Sequence, residues 1–323
     1  MSAPDYTPFV PSILNLLRSA IAKQPSAAAP EEVPALPPEF DADHYREANP
    51  DLAGLAPAEL QTHWVQRGRA EGRRANRLCD RQDFGALIPS QFSTLEIGPF
   101  CVPFLRGPHV SYFDVLDKAA LIERARAVKW PWNQAVDIDY VSPHGNLGVV
   151  NERFDSIVSS HCIEHQSDLI RHLNHIGRLL EPGGRYFCLI PDHRYCFDHF
   201  QTASTVADAL AAYREHRIAR TFQSVLAHHT RNTHNDARRH WAGDHGSITP
   251  DDPALIGAAE KEFTEANGGY IDVHCWYFTP DSFAGIIETL RLQGETALAV
   301  ERLYPTRCNS FEFWAVLSRA PRP

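Results

Sequence analysis

Acidic residues in the first half of the chain stand where short apolar runs end. Glu96 lies near the end of the run STLEIG, Asp114 near the end of VSYFDV, and Asp139 near the end of AVDIDYV. Gly98 closes the first run, and Asp114 follows it by sixteen residues. A glycine at a strand end lets the backbone approach a ligand, and an acid at a similar separation accepts hydrogen bonds from ribose hydroxyls in nucleotide-binding folds. The spacing therefore predicts a pocket for a ligand that carries a ribose.

Histidines beside other apolar runs supply groups that could move a proton. His161 follows the run FDSIVSS, His193 follows RYFCLIPD, and His274 precedes CWYF. Imidazole titrates close to neutral pH and is the side chain most often used as a general base. We therefore predict that His161, His193 or His274 acts as the base or as an orienting group when the acceptor must lose a proton.

A second group of histidines raises the question of a metal site. The chain has 17 histidines, and five of them lie close together in sequence: His228, His229, His234, His240 and His245. Their spacing matches no zinc pattern, and no cysteine accompanies them. We interpret this run as a solvated or substrate-facing loop and expect no metal ligands, while the sequence leaves open whether the run binds a metal.

Strand and helix patterns alternate through the region that contains these residues. Predicted strands cover 93–98, 110–115, 135–141, 154–160, 185–190, 297–303 and 311–318, and predicted helices cover 119–127, 167–180 and 280–292. Repeated β-α-β units predict a doubly wound, mostly parallel, seven-stranded sheet with an antiparallel last strand. Ligands bind at the carboxyl ends of such strands, where the acids and His161 are predicted to lie.

The remaining segments predict three parts of the chain. Residues 1–38 contain a short amphipathic helix over 10–23 and a Pro/Ala-rich linker, and residues 39–80 form a small helical module. Residues 81–323 form the main domain, in which 192–275 is an insertion after the fifth strand. Because a linker and a separate module precede the main domain, we expect residues 1–78 to be dispensable for ligand binding.

Composition narrows the classes of function. The formal net charge is −9 and the pI is near 6.0, which opposes broad contact with a phosphate backbone, so no nucleic acid partner is expected. The seven cysteines form no C-x-x-C pair, a pattern typical of reduced thiols. The chain shows neither a basic signal-peptide segment nor an apolar run long enough to span a membrane. We expect a cytoplasmic protein that acts on a small molecule.

Four motifs resemble class I S-adenosylmethionine-dependent methyltransferases, of the type seen in bacterial polysaccharide and secondary-metabolite gene products. They are LEIGP (95–99), VSYFDV (110–115), RFDSIVSSHCIEH (153–165) and RLLEPGGRYFCLIPDHRY (178–195). The resemblance implies a Rossmann-like methyltransferase fold and S-adenosylmethionine as the cofactor. The family's first loop reads E-x-G-x-G-x-G, whereas here Gly98 is followed by PFCVP. S-adenosylmethionine has no pyrophosphate, so a full glycine cradle is not required.

The resemblance also implies roles around the cofactor for seven residues. Glu96 and Gly98 border the methionine moiety, and Pro99 belongs to the same cofactor site. Asp114 takes the ribose hydroxyls, Asp139 lies by the adenine amine, and Ser160 and His161 line the pocket.

The insertion is expected to form the acceptor side of the site. Its two ends must converge over the carboxyl edge of the sheet, and its interior is rich in His, Arg and Asn, with Tyr213, Trp241 and Tyr270 as flat surfaces. Such a lining predicts a small polar acceptor, a sugar-linked or hydroxylated metabolite, with the insertion as a lid. Together with the resemblance, it implies methylation of an O or N atom of that acceptor. A nicotinamide-dependent oxidoreductase would need a G-x-G-x-x-G, which is absent after the first strand.

The alternative from another functional class is a non-catalytic scaffold that keeps the methyltransferase fold. Residues 40–78 resemble a small module, F-D-x-x-x-Y-x-x-x-N-P-D-L followed by H-W-x-x-x-G-x-x-E-G-R, that occurs beside methyltransferase and glycosyltransferase domains. Through this N-terminal region we expect a homodimer or a contact with a pathway enzyme.

Overall fold

Seven strands form one sheet in residues 34–320, the part of the chain that the structure, a computed structural model, describes. The strands are β1 (Thr94–Ile97), β2 (Val110–Asp114), β3 (Tyr140–Val141), β4 (Phe154–Ser160), β5 (Leu180–Pro191), β6 (Leu298–Tyr304) and β7 (Glu312–Arg319). Their order is β3-β2-β1-β4-β5-β7-β6. β7 runs antiparallel to both of its neighbours, and the other neighbouring strands are parallel. The predicted mostly parallel sheet with an antiparallel last strand is confirmed.

Helices cover the sheet and build the insertion. Those in the described residues are α1 (Ala42–Ala48), α2 (Pro57–His63), α3 (Arg81–Gly85), α4 (Lys118–Ala127), α5 (Leu169–Leu179), α6 (Val206–Arg214), α7 (Phe222–Arg231), α8 (Ala237–Trp241), α9 (Pro253–Ala266) and α10 (Pro280–Leu292). α5 begins two residues later than predicted because the Asp168 carboxylate caps it, accepting from the Arg171 N–H at 2.9 Å. Its apolar face is buried in the main core with the strands.

The third strand is much shorter than predicted. A strand was expected over 135–141, but only Tyr140 and Val141 pair with β2. Asp139 precedes the strand rather than ending it, and its backbone N–H donates to the Tyr112 carbonyl at 2.9 Å. β3 is an edge strand, so little apolar burial holds the residues before it in an extended ladder.

Strand β5 begins earlier than predicted and includes the EPGG segment. The sequence favoured a turn over 181–184 that separates helix from strand, whereas β5 starts at Leu180, directly after α5. Gly184 passes very close to β4, because a Cβ atom there would lie 3.0 Å from the Asp155 carbonyl oxygen and 3.1 Å from that of Phe154. Only a glycine permits this approach without displacing the backbone.

Smaller apolar clusters lie beside the main core. Tyr45, Leu60 and Trp64 form the centre of the module at 39–80. Leu36, Leu78 and Phe84 of α3 instead pack on the face of β4, β5 and β7. Residues 36–320 belong to one compact unit.

The helix predicted over 10–23 lies outside the described residues. All seven cysteines are free, as expected. Within residues 34–320 no helix has the length and apolar character needed to cross a membrane.

Candidate functional site

A cavity of about 970 Å³ lies at the carboxyl ends of β1, β2 and β4. The segments that follow these strands line it, together with the loop after β3, α3 and parts of the insertion. Six of the seven residues predicted to bind the cofactor line it: Glu96, Gly98, Pro99, Asp114, Ser160 and His161. The structure therefore brings together most of the residues that the sequence placed at strand ends.

The loop after β1 is held by Glu96 and Gly98. Gly98 has φ 72°, a left-handed conformation that favours glycine, and a Cβ atom there would lie 3.4 Å from the Cys162 Sγ. The Glu96 carboxylate accepts from the backbone N–H of Phe104 at 2.6 Å and of Leu105 at 2.9 Å. Burial raises the pKa of Glu96 to about 7, although these two hydrogen bonds oppose the rise. Glu96 thus shapes the cavity wall as well as lining it.

Asp114 holds the neighbouring strand end. Its carboxylate accepts from the Val115 N–H at 2.6 Å and from the Phe100 N–H at 3.1 Å, which links the loops after β1 and β2. Burial raises the pKa of Asp114 to about 6, and the backbone hydrogen bonds oppose this rise. A carboxylate with two oxygens has acceptor sites left for a ligand's hydroxyl groups.

Asp139 is not among the residues that line the cavity. It is exposed, and its Oδ2 accepts from the Tyr112 N–H at 2.8 Å, so the side chain supports the edge of the sheet. His144 and Gly145, from the loop after β3, line the cavity instead. Sequence reasoning missed these two residues because it took Asp139, which precedes the strand, as the group at the end of the strand.

His161 stands at the end of β4 in a conformation that non-glycine residues rarely adopt, with φ 51°. Its Nε2 lies 2.8 Å from Glu312 Oε2, and Arg81 Nε lies 3.1 Å from the other oxygen of the same carboxylate. Arg81 also donates to the Ser160 hydroxyl. A carboxylate on one ring nitrogen fixes the imidazole's orientation, as a positioned base requires.

The other two predicted bases do not line the cavity. His193 sits just after β5, where its backbone N–H donates to the Phe278 carbonyl at 2.9 Å, and burial lowers its pKa. His274 is buried, and its Nδ1 lies 2.6 Å from Asp198 Oδ2. Burial alone would lower the pKa of His274, but the carboxylates of Asp198, Glu164 and Asp272 together outweigh burial and raise that pKa.

The insertion contributes its own wall. Its two ends are joined, as predicted, by a β-bridge between Asp192 and Phe278 and by the His274–Asp198 pair. Of its three predicted flat side chains, only Tyr270 reaches the cavity. Trp241 stacks on Tyr195 at 4.1 Å between ring centroids, and Tyr213 packs against the main core.

Several residues of the site were not found from the sequence. They are Arg81, Glu312 and the insertion residues Arg220, Asn235 and Asp272. Their partners are distant in the chain, as in the pair His161–Glu312, which is separated by 151 positions. No local pattern marks such a pair, although the charged Glu312 at the start of a strongly apolar strand is a weak signal.

A family profile described as "Methyltransferase domain" matches residues 96–291. No curated protein matches the chain. Among solved structures, the mitomycin 7-O-methyltransferase MmcR is 12% identical, with 87% of this chain and 61% of that chain covered and a TM-score of 0.35. This chain therefore spans less than two thirds of that protein.

Two further solved structures are similar. The CcbJ methyltransferase from Streptomyces caelestis is 14% identical, covering 74% of this chain and 94% of that one at a TM-score of 0.36. An S-adenosylmethionine-dependent methyltransferase from Mesorhizobium loti is 14% identical, covering 74% and 96% at a TM-score of 0.37.

Proposed function

The chain belongs to the methyltransferase-domain family of class I S-adenosylmethionine-dependent enzymes, and from that premise we propose that it methylates an O or N atom of a small polar acceptor. S-adenosylmethionine is the methyl donor of this family. The observation that carries the proposal is that Gly98, Asp114 and His161 line the same cavity as residues of the insertion.

The residues present suit the cofactor. The cavity volume of about 970 Å³ is at the upper end of ordinary small-molecule sites, large enough for a nucleoside and an amino acid. The Asp114 carboxylate would hold the ribose hydroxyls, and the Gly98 backbone, free of a Cβ atom, would face the methionine moiety with Glu96 and Pro99 beside it. Phe100 and Trp130 line the same cavity and offer flat surface for a base.

The lining contributed by the insertion supports a polar acceptor. Arg220, Asn235, Tyr270 and Asp272 all line the cavity. The Arg220 guanidinium lies 4.4 Å from the Tyr270 ring centroid, and only one of its nitrogens, Nη1, has a hydrogen-bond partner within the described residues. A buried cation with unpaired donors favours an acceptor that carries oxygen atoms. A sugar-linked or hydroxylated metabolite meets this condition, and the insertion would cover it as a lid.

His161 is the group best placed to take the acceptor's proton. When bound, the cofactor supplies an electrophilic methyl group on a sulfonium. The imidazole of His161 would accept the proton of a hydroxyl or ammonium, and Glu312 would stabilise the resulting cation. Burial opposes ionisation of Glu312, but the hydrogen bond and charge of His161, together with the Arg81 guanidinium and the Trp314 N–H, outweigh burial and hold the pKa of that carboxyl below its usual value. His274 does not line the cavity, so it would serve as an orienting group and not as the base. We assign His193 no direct role.

Calorimetric binding of S-adenosylhomocysteine, the demethylated product, tests the cofactor site. Asp114→Asn should weaken binding about 10- to 100-fold, because charge-assisted hydroxyl bonds are lost. Asp139→Asn is the matched control and should leave affinity nearly unchanged, since Asp139 does not line the cavity. Equal affinity for the unsubstituted chain and Asp114→Asn would remove Asp114 from the site. No binding by any of the three proteins would favour the alternative, a non-catalytic scaffold.

Transfer from labelled S-adenosylmethionine to a panel of hydroxylated and amino-bearing small molecules tests the activity. His161→Asn should slow turnover about 100-fold or more while cofactor affinity stays constant. His193→Asn, whose side chain lies off the cavity, should turn over normally. Normal turnover by His161→Asn together with slow turnover by His193→Asn would instead identify His193 as the base.

A further inference from the structure

A buried carboxylate lies directly behind the wall of the cavity. The side chain of Glu164 is fully buried, and neither of its carboxylate oxygens has a hydrogen-bond partner within the described residues. Burying an ionised carboxylate without a partner is strongly unfavourable, so such a group normally pairs with a cation or a metal. The proposed methyl transfer does not use Glu164.

Imidazole nitrogens surround one oxygen of this carboxylate. From Glu164 Oε1, the distance is 3.7 Å to His274 Nε2, 3.9 Å to His165 Nε2 and 3.8 Å to His161 Nδ1. These separations are too long for hydrogen bonds. Ligand atoms about 2.1 Å from one tetrahedral metal ion stand about 3.4 Å apart, close to the observed values. Glu164, His165 and His274 each offer an atom within 4.8 Å of the other two.

Carboxylates contact or approach the far nitrogens of these rings. His274 Nδ1 lies 2.6 Å from Asp198 Oδ2, and His165 Nδ1 lies 3.5 Å from Asp272 Oδ1. An acid on the far nitrogen holds the proton there and leaves the near nitrogen's lone pair for a metal, the usual arrangement around metal-binding histidines. The backbone is also tied together, because the N–H groups of Cys275 and Trp276 donate to the Glu164 carbonyl at 2.7 and 3.1 Å.

We propose that Glu164, His165 and His274 bind one divalent transition-metal ion of the zinc type. Two imidazoles and one carboxylate are ligands that suit such ions, and three protein ligands leave a fourth position open. His165 and His161 line the cavity, so the open position would be reached from there. If the proposed function holds, the ion would bind the acceptor's oxygen beside His161. Metal binding itself does not depend on that function.

The group formed by His199, His240 and His245 supplies the control. Their nitrogens also lie close together, but Nδ1 of His240 already lies 3.0 Å from Nδ1 of His245, and the group is not part of the cavity wall. His245→Asn therefore changes a histidine in the same insertion without touching the proposed site.

Titration of the metal-stripped chain with Zn²⁺ alone, without cofactor or acceptor, tests the proposal. We expect one zinc per chain by elemental analysis, retained in His245→Asn. Glu164→Gln and His274→Asn should weaken binding about 100-fold or more, and Asp198→Asn about 10- to 100-fold because it orients His274. Zinc binding that survives Glu164→Gln but is lost in His245→Asn would overturn the proposal, as would no binding by the unsubstituted chain.

Cobalt spectroscopy on the unsubstituted chain avoids any dependence on the folding of the variants. Bound Co²⁺ should give the intense visible bands of a four- or five-coordinate site, and the weak spectrum of six-coordinate aqueous cobalt would overturn the proposal. Binding of S-adenosylhomocysteine is measured on the same preparation. Cofactor binding without metal binding would reject only the metal site, whereas metal binding without cofactor binding would reject only the proposed function.

Discussion

At the scale of single residues, Asp114 joins two loops and also faces the cavity. Its carboxylate bridges the Phe100 and Val115 N–H groups, and burial raises its pKa to about 6. The same group therefore supports the loops in either protonation state, but accepts ligand hydroxyls best when it is ionised.

Affinity for S-adenosylhomocysteine should depend on pH through Asp114. Because its pKa is about 6 in the free protein, the carboxylate is ionised above pH 6 and protonated below it. The dissociation constant should rise as pH falls, by about tenfold per unit below pH 6. Calorimetry between pH 5 and 8 measures this slope. Asp114→Asn should lose that slope, while any change near pH 7 from Glu96 should remain in both proteins. Parallel profiles for the two proteins would contradict the assignment.

Arg220 is the residue whose substitution should affect the acceptor most selectively. It is buried in the cavity wall, and its Nη1 donates to Ser167 Oγ at 3.1 Å. Arg220→Gln should raise KM for the acceptor by about tenfold or more, because a charge-assisted contact is lost, and should leave cofactor affinity unchanged. Steady-state kinetics together with calorimetry separate these effects. Weaker cofactor binding with an unchanged acceptor KM would instead place Arg220 at the cofactor.

At the scale of elements, alanine substitutions at Gly184 in β5 and at Gly177 in α5 should have opposite effects on the free energy of unfolding. Gly184→Ala places a methyl group 3.0 Å from backbone carbonyls of β4 and its own strand, so we expect a loss of about 1–3 kcal/mol in the free energy of unfolding. Gly177 lies in α5 with its nearest side-chain neighbour, Leu298, at 3.9 Å, so Gly177→Ala should gain about 0.5–1 kcal/mol. Urea unfolding of both variants is the measurement. Equal stability of Gly184→Ala and the unsubstituted chain would show that β5 shifts freely against β4.

At the scale of the whole molecule, the segment before α3 contributes to the main sheet's covering layer. Leu36 and Leu78 pack with Phe84, Phe187 and Trp314 on one face of the sheet. The Tyr304 hydroxyl donates to the Pro37 carbonyl at 2.8 Å. Residues 1–78, which were expected to be dispensable for ligand binding, therefore include residues that contact the main sheet.

A chain of residues 81–323 should be less stable than a chain of residues 34–323. Loss of Leu36 and Leu78 from the apolar layer should lower the free energy of unfolding by about 3–6 kcal/mol, taking about 1.5–3 kcal/mol for each buried leucine. Urea unfolding of the two chains measures the difference, and Leu36→Ala in the longer chain serves as a small-scale control. Equal unfolding midpoints would show that the module and its linker are independent of the sheet.

Local patterns in the sequence were sufficient to predict the alternating strands and helices, the antiparallel last strand, and the placement of Gly98 and Asp114 at neighbouring strand ends. These features depend on apolar periodicity and on the glycine and proline residues that end strands and helices. Both signals act over a few residues. β3 was predicted too long because an edge strand depends on tertiary support that periodicity does not report.

The chemistry of the cavity wall was decided only by the tertiary structure. From the sequence, His161, His193 and His274 were equally good candidates for the base, but of these three only His161 lines the cavity. His193 is held away from it by the pairing of its backbone with Phe278. The partners Glu312 and Asp198 lie 151 and 76 positions from the histidines that they orient. Contacts across such separations arise from how the strands and the insertion pack, and no spacing along the chain encodes them.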